Sequence, residues 1–565
     1  MKSKSLIAAS AALWMAFCFL CSPAFSVTQS SFKGKVVVVV SPHGTDYLEG
    51  AGAIIATMIQ DGATVYLVRV SNDEKHGYLL PVNQVRVQSY DEGNRAAAIM
   101  GFKQVIDLNL KDGEVTDVPE PELRERLAAI YRKLAPTTLV TADPWALYDP
   151  DLDDQRVARA AVDACWNASS RTFYPELPVI EGPTHFQNIY DRYFWTTNGG
   201  IHPENEYFNV TETLPKELQA LETMQTAMSA EMSLAQARRS GETSLSNQPA
   251  NTAAIHAYVE QRYGRAASKL GRRHAAEYAQ AIYHYAGSAG TEQFIRTLAY
   301  EKKNPPPSIA LPKLMRVEKG DGRVVLILAP DFPSLIQNAG GTAVQLHQAG
   351  FVVDAVILTN QGKDGNAGST AAAVLANQTE DKNAAAILGI RRVLHLSFEQ
   401  GQIADIPATV VREQLLWILR SENPETVILP DPWIRYINWE EVLLGRIAAD
   451  AIFHMTNAAT GQEQQEVTTT VRPVTKILYW ENNAENSGNT AANAAVDVTS
   501  SESQKKQSLS ALHAWLGLQA LLPQKASLSR DTHFSGVPDD FTAEDKAEGK
   551  RVAVPYAEVF HQVEP

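Results

Sequence analysis

Two short polar stretches of this chain carry residue types that could do chemistry together. The first contains His43 and Asp46, three positions apart, directly after five consecutive valines at 36–40. An imidazole and a carboxylate at this spacing can bind one metal ion. The same pair is also explained by an aspartate that caps a helix and an ordinary loop histidine. The pair alone leaves both interpretations open.

The second stretch is an acidic turn that precedes a helical pattern. Its carboxylates are Asp143, Asp149, Asp151, Asp153 and Asp154. One interpretation is a solvated turn with a helix N-cap at Asp153 or Asp154, which the helix dipole favours. The other is that the turn faces the first stretch, so that Asp154 joins His43 and Asp46 around an ion.

The elements that would position both stretches alternate between strands and helices. Strands are predicted at 36–40, 65–70, 105–108 and 138–141, and helices at 53–59, 89–100, 122–134 and 154–164. The valine run indicates a strand buried on both faces. The alternation predicts an α/β fold with a mostly parallel sheet covered by helices. Such sheets bind ligands at the carboxyl ends of their strands, where both polar stretches would lie.

The chain repeats itself at an offset of 288 residues, the separation of Gly34 and Gly322. The same offset aligns residues 96–101 with 384–389 and residues 143–145 with 431–433. Chance does not keep one offset over so many positions. We therefore predict two tandem copies of one Rossmann-like α/β domain. The copies would span 33–300 and 322–565, with a linker at 301–321.

Composition limits the functional classes. With 565 residues, 45% hydrophobic and 20% charged, the chain is typical of a folded protein with more than one core. Its net charge of −14 argues against nucleic acid and anionic membranes as partners.

The N-terminus has the pattern of a secretory signal. Lys2 and Lys4 precede an apolar stretch at 6–20, and small residues allow cleavage after Ser26. We expect an exported protein, periplasmic or secreted, with no transmembrane segment after removal of 1–26; an uncleaved anchor is the alternative. Cys165 is then the one remaining cysteine, which excludes an internal disulfide and a thiolate metal cluster.

At the level of motifs, the chain resembles the PIG-L/LmbE-like N-acetylglucosaminyl deacetylases from residue 33 almost to its end. That family opens with A-H-P-D-D-E and G-A-G-G-T, which residues 41–47 and 50–53 match in part. Its E-x-x-x-A-A-x-x-L-G and D-G correspond to 92–101 and 112–113, and its H-P-D-H to 151–154. The resemblance implies tandem LmbE-like domains and hydrolysis of an N-acetylglucosamine-type sugar conjugate, a glycan partner.

The resemblance also implies a zinc site in the first copy. Carried over by position, the ligands of one divalent metal, Zn²⁺, are His43, Asp46 and Asp154. The family's general base, which acts on zinc-bound water, falls on Thr45, and the residue that assists the leaving group falls on Asp151. Threonine cannot act as a base, so Asp151, Asp153 or Asp149 would take that role.

The second copy departs further from the family. The equivalent positions are Asp331, Pro333, Ser334, Asn438 and Glu441. Two carboxylates without an imidazole make a poor zinc site, so we predict a catalytically silent copy. It would be structural, bind a glycan, or close over the first copy. Two functions stay open for the whole chain: a metal-dependent N-deacetylase, or an inactive descendant that binds carbohydrate or serves as a scaffold.

Overall fold

The computed structural model describes residues 31–77, 80–144, 146, 149–170, 173–175, 177, 189–195, 204–240, 250–286, 312–361, 371–432, 439–457, 460, 471–480, 492–513 and 538–563. Over these residues the chain forms two β-sheets with helices packed against them, one sheet from each half. The predicted α/β architecture is confirmed. The predicted signal peptide lies outside the described residues.

The first half contains seven strands and eight α-helices among the described residues. The strands are β1 (Val36–Ser41), β2 (Thr64–Ser71), β3 (Gln104–Leu110), β4 (Thr138–Ala142), β5 (Asp191–Trp195), β6 (Glu206–Asn209) and β7 (Ala279–Ala286). The helices are α1 (Asp46–Gln60), α2 (Val82–Met100), α3 (Glu120–Leu134), α4 (Leu152–Ser169), α5 (Leu214–Thr223), α6 (Gln225–Ser240), α7 (Thr252–Val259) and α8 (Arg265–Gly271).

The second half repeats this plan. Its strands are β8 (Lys313–Leu314), β9 (Val324–Ala329), β10 (Val352–Thr359), β11 (Arg392–Phe398), β12 (Thr426–Pro430), β13 (Lys476–Trp480), β14 (Ala494–Asp497) and β15 (Ala557–Val563). Its described helices are α9 (Phe332–Gln348), α10 (Ala371–Leu388), α11 (Ala408–Glu422), α12 (Trp439–His454), α13 (Glu502–Ser510) and α14 (Pro538–Arg551).

Strand order shows the duplication directly. The first sheet runs β3-β2-β1-β4-β5-β7-β6 and the second runs β11-β10-β9-β12-β13-β15-β14-β8. In each sheet the first five strands are parallel and the closing strand, β7 or β15, is antiparallel. β8 lies within the segment predicted as a linker, where it pairs with β14 as an edge strand.

The valine strand is central to the first sheet and buried on both faces, as predicted. Val37 and Val39 pack into the apolar cluster that contains α1, whereas Val38 and Val40 pack into the cluster under α3 and α4. Because helices cover both faces, the strand needs apolar residues at every position and not in alternation. Its carboxyl end therefore delivers the following loop to a fixed place at the edge of the sheet.

Helix boundaries differ from prediction at three places that matter. α1 begins at Asp46 rather than at residue 53, so Asp46 is its first residue. α2 begins at Val82 rather than at residue 89, and it ends as predicted before Gly101, whose φ of 94° suits glycine. The N-cap of α4 is Asp151, whose side chain accepts from the Asp153 N–H. The predicted cap at Asp153 or Asp154 was wrong because both residues already lie inside the first helical turn.

Two further features bear on the predictions. Among the helices in the described parts of the chain, none has the length and apolar character needed to span a bilayer. Cys165 is a free, buried thiol in the core under α4.

Candidate functional site

The site lies at the carboxyl edge of the first sheet, in the loop between β1 and α1. The Ser41 hydroxyl donates to the His43 carbonyl and accepts from the Tyr47 N–H at 3.3 Å. One side chain at the end of β1 therefore ties both ends of the turn that carries His43 and Asp46.

Gly44 provides a second constraint on this turn. Its N–H donates to both carboxylate oxygens of Asp73, at 3.0 and 3.1 Å. A Cβ at position 44 would lie 2.5 Å from Asp73 Oδ2. A glycine is needed here so that the backbone can approach the carboxylate, and the result is a fixed position for the adjacent His43.

The His43 imidazole is enclosed by four carboxylates and is only 2% exposed. Its Nδ1 lies 3.2 Å from Asp46 Oδ2 and 3.3 Å from Asp154 Oδ1. Its Nε2 lies 3.3 Å from Asp112 Oδ1 and 3.9 Å from Asp151 Oδ2. The structure thus brings together the three predicted ligands, His43, Asp46 and Asp154, at one nitrogen of the ring.

The site's electrostatics are those of crowded buried carboxylates. Burial alone would lower the pKa of His43, but the surrounding aspartates raise it well above its usual value. Burial and the repulsion of neighbouring carboxylates raise the pKa of Asp154 well above its usual range, and burial chiefly does the same to Asp151. Burial also acts to raise the pKa of Asp46, but His43 lowers it below its usual value. A divalent cation would relieve this repulsion.

Hydrogen bonding leaves room for such a cation. His43 Nε2 and Asp154 Oδ1 are buried and have no hydrogen-bond partner among the described residues. One ligand atom each from His43, Asp151 and Asp154 lies within 4.8 Å of the others. Asp151, predicted for catalysis, belongs to this group, and Asp46 does not. Asp46 Oδ2 instead accepts a hydrogen bond from the backbone N–H of His43 at 2.7 Å. These donors fit a divalent metal ion.

Two site residues were missed at the level of sequence. Asp112 follows β3 and is held by the Lys75 N–H, which donates to Oδ2 at 2.8 Å. The His76 ring lies against that of His43, tilted by 35° and with centroids 4.5 Å apart. His76 also forms a second potential ligand group with His43 and Asp112. The position of the D-G pair at the carboxyl end of a parallel strand was the available signal for Asp112.

The predicted catalytic positions differ in what they can do. Thr45 is buried and serves as the N-cap residue of α1 through its carbonyl, which accepts from the Leu48 and Glu49 N–H groups. Asp153 accepts from the Gly113 N–H at 2.8 Å and the Thr116 N–H at 2.9 Å. Its carboxylate therefore organises the loop after β3.

Asp149 and Asp151 form the remaining pair of acidic positions. Asp149 accepts from the Asp151 N–H at 3.1 Å, and Asp151 Oδ1 accepts from the Asp153 N–H at 2.8 Å. Asp151 Oδ2 is the oxygen that approaches His43. Among the three predicted substitutes for the base, Asp151 is the one that belongs to a ligand group with His43.

The second half packs against this site. Arg412 of α11 donates to the Gly113 carbonyl, and Asn457, just after α12, donates to the Lys75 carbonyl at 2.9 Å. Asp450 of α12 accepts from the Leu152 N–H at 3.3 Å. The sequence predicted no role for any of these three residues.

The equivalent positions of the second half have other roles. Asp331 caps α9 by accepting from the Ser334 N–H at 2.7 Å, and Pro333 lies in the first turn of that helix. Within the described residues, the potential ligand groups include neither Asp331 nor Glu441. Asn438 lies outside the described residues.

Both halves of the chain match the model of one known family. The PIG-L family model, described as GlcNAc-PI de-N-acetylase, matches residues 38–165 and 336–440. Each half of this chain therefore contains a region that is similar to the PIG-L family. The first PIG-L region contains His43, Asp46, Asp112, Asp151 and Asp154. The second ends before Asp450.

Individual relatives cover parts of the chain. Diacetylchitobiose deacetylase of Thermococcus kodakarensis is 31% identical over 123 residues, which are 20% of this chain and 43% of that relative. The chain therefore matches less than half the length of this curated relative.

The chain also shows similarity to solved structures. One is N,N'-diacetylchitobiose deacetylase from Pyrococcus horikoshii, with 19% identity and a TM-score of 0.35 over 48% of this chain and 92% of that chain. Another is GalB, the 4-carboxy-2-hydroxymuconate hydratase from Pseudomonas putida (17% identity, TM-score 0.34, 45% of this chain and 98% of that chain).

Proposed function

We propose that this protein is a metal-dependent hydrolase that removes the acetyl group from an N-acetylglucosamine-type sugar conjugate, with its reaction centre in the first half. The observation that carries the proposal is the buried His43 imidazole among Asp46, Asp112, Asp151 and Asp154. The match of both halves to the PIG-L family model supports the reaction class. The Thermococcus relative, which is named as a deacetylase of an N-acetylated sugar, supports the substrate class.

The residues that would hold the ion are His43 and Asp154, with Asp46 as the third ligand. Mixed imidazole and carboxylate donors suit Zn²⁺, the ion that we propose. Such an ion, when bound, acidifies water and polarises an amide carbonyl. The chain itself supplies rigid placement, since Ser41, Gly44 and Asp73 fix the backbone on both sides of His43.

Proton transfer falls to Asp151 in this proposal. Thr45 cannot accept a proton, and the two oxygens of Asp153 are occupied by backbone N–H groups. Asp151 keeps Oδ2 beside His43 while Oδ1 caps α4. The N-terminus of α4 places a fixed partial positive charge next to this carboxylate and to Asp154. Asp151 would take the proton from water and return it to the departing amine.

The proposal also includes the cellular location of the protein. Residues 1–26 have the charged, apolar and small-residue regions of a secretory signal, so we propose that the substrate is met outside the cytoplasm.

A screen for released acetate tests this function. The purified full chain, supplied with Zn²⁺, is incubated with N,N'-diacetylchitobiose and other N-acetylglucosamine conjugates, and acetate and free amine are measured together. We expect both in equal amounts, with loss of release after chelation. Asp151→Asn should lower the rate about 10²–10⁴-fold at unchanged folding, as expected for a lost general acid–base residue.

Two results of this screen would contradict the proposal. If the Zn²⁺-loaded protein binds such conjugates but releases acetate from none of them, the hydrolase proposal is overturned in favour of a carbohydrate-binding role. If Asp151→Asn retains the full rate, the role given to Asp151 is wrong.

A further inference from the structure

A second group of potential metal ligands lies at the junction of the two halves. It consists of Asp151 from the first half and of Asp450 and His454 from α12 in the second. One ligand atom from each residue lies within 4.8 Å of the others, and all three residues are buried. Asp450 and His454 are four residues apart on one helix, so both side chains project from the same face toward Asp151.

His454 supplies an observation independent of the carboxylates. Its side chain is 4% exposed, and Nε2 has no hydrogen-bond partner among the described residues. This nitrogen lies 3.4 Å from Asp450 Oδ1. A buried polar atom without a partner costs free energy, and such atoms are few in folded proteins. A cation between Asp151, Asp450 and His454 would give Nε2 the partner that it lacks.

Asp450 is held in position from two sides. Its Oδ1 accepts from the Leu152 N–H at 3.3 Å, and its Oδ2 lies 3.3 Å from Arg412 Nη1. Arg412 and His454 contact different oxygens of Asp450, Oδ2 and Oδ1 respectively. The single positive charge of Arg412 offsets one of the two carboxylates and leaves the group anionic.

We propose that Asp151, Asp450 and His454 bind a second divalent cation, next to the one held by His43 and Asp154. The donor set of one imidazole and two carboxylates suits Zn²⁺, Mn²⁺ or Co²⁺. The second half would then contribute ligands to the first half's centre although its own equivalent positions carry no histidine. Neither PIG-L region includes Asp450 or His454, so the family match does not supply this site.

Metal content of the full chain tests the proposal. Protein stripped with a chelator is dialysed against Zn²⁺, and bound zinc per chain is measured by mass spectrometry. We expect two ions in the wild type and one in His454→Ala and in Asp450→Asn. His43→Ala should keep the ion at the junction. His395→Ala is the matched control, because His395 is a largely buried histidine of the same half that pairs with Asp381 at 2.9 Å.

Asp450→Asn guards against a folding artefact, because an amide preserves the shape of the side chain and can still accept from Leu152. Its circular dichroism and melting temperature are compared with those of the wild type. A titration with Co²⁺, followed by its absorption, gives a second readout. The wild type should bind two equivalents of Co²⁺, and His454→Ala and Asp450→Asn should each bind one. Equal zinc content in His454→Ala, Asp450→Asn and the wild type would overturn the proposal. None of these measurements depends on acetate release, so the failure of the hydrolase function and of the second site are distinguishable.

Discussion

Leu152 of the first half is bound by Asp450 of the second half. Its backbone N–H donates to the Asp450 carboxylate at 3.3 Å, and its side chain packs into the apolar cluster formed otherwise by the second half. Leu152 is the first residue of α4, between Asp151 and Asp153. The second half therefore holds the start of the helix that presents the acidic residues to His43.

Arg412 should be a main stabiliser of this junction. Its buried guanidinium donates to the Gly113 carbonyl and faces Asp450, so Arg412→Ala leaves a buried carboxylate without its cation. We expect a loss of about 3 kcal/mol in the free energy of unfolding, measured by urea denaturation. Arg126→Ala, which breaks the exposed pair with Glu122, should change it by less than about 0.5 kcal/mol. Similar effects for both variants would refute this role of Arg412.

Gly44→Ala should damage the site with little effect on the fold. The added methyl group would collide with Asp73 and displace the turn that carries His43. We expect weaker Zn²⁺ binding by calorimetry, with a melting temperature close to that of the wild type. The control is Gly340→Ala, whose added Cβ meets only side-chain atoms at 3.4 Å or more. Unchanged Zn²⁺ affinity in Gly44→Ala would show that the turn tolerates the movement.

Glu217 should make the stability of the first half depend on pH. α1 is broken at Ala51, and Glu217 accepts from the freed Ala53 N–H at 2.6 Å and from Gln280 at 2.6 Å. Burial raises the pKa of Glu217 from 4.5 to about 8. The folded state therefore binds this proton more tightly than the unfolded state does. The resulting stabilisation is complete below pH 4.5 and is lost as the pH rises through about 8.

Urea denaturation at several pH values tests this dependence. Glu217→Gln, which cannot ionise, should flatten the decline in stability between pH 4.5 and 8. Glu212→Gln, at an exposed position near Gln60, should leave the decline as it is in the wild type. An unchanged slope in Glu217→Gln would mean that another group titrates.

The repeat predicted from sequence extends to these contacts, but with the charges exchanged. Lys505 lies 288 positions after Glu217. Glu558 pairs with Val496 as Gln280 pairs with Phe208 in the equivalent strands of the first sheet. Glu558 now accepts from the Gly341 and Thr342 N–H groups, and Lys505 donates to Glu558 at 2.8 Å. A single sequence shows the substitution at 505, but the compensation depends on a residue 53 positions away on β15.

Much of the first site could be predicted because it depends on local patterns. The buried valine strand and the parallel sheet place His43 and the acidic turn at one edge, which is why Asp154 was expected beside His43. The choice of Asp151 as N-cap could not be made, since several neighbouring aspartates can cap a helix equally well. Arg412, Asp450 and His454 were missed because their positions depend on how the two halves pack, which hydrophobic periodicity does not encode.

The central claim is that His43 organises a metal-dependent deacetylase centre. Its most direct test is one experiment on His43→Ala that measures bound zinc and acetate released from N,N'-diacetylchitobiose in the same sample. His274→Ala is the control, because that ring stacks on Tyr207 with centroids 3.9 Å apart in the closing part of the first half. The account predicts that His43→Ala loses one zinc ion and its acetate release while His274→Ala keeps both. Acetate release by His43→Ala at the wild-type rate would contradict it.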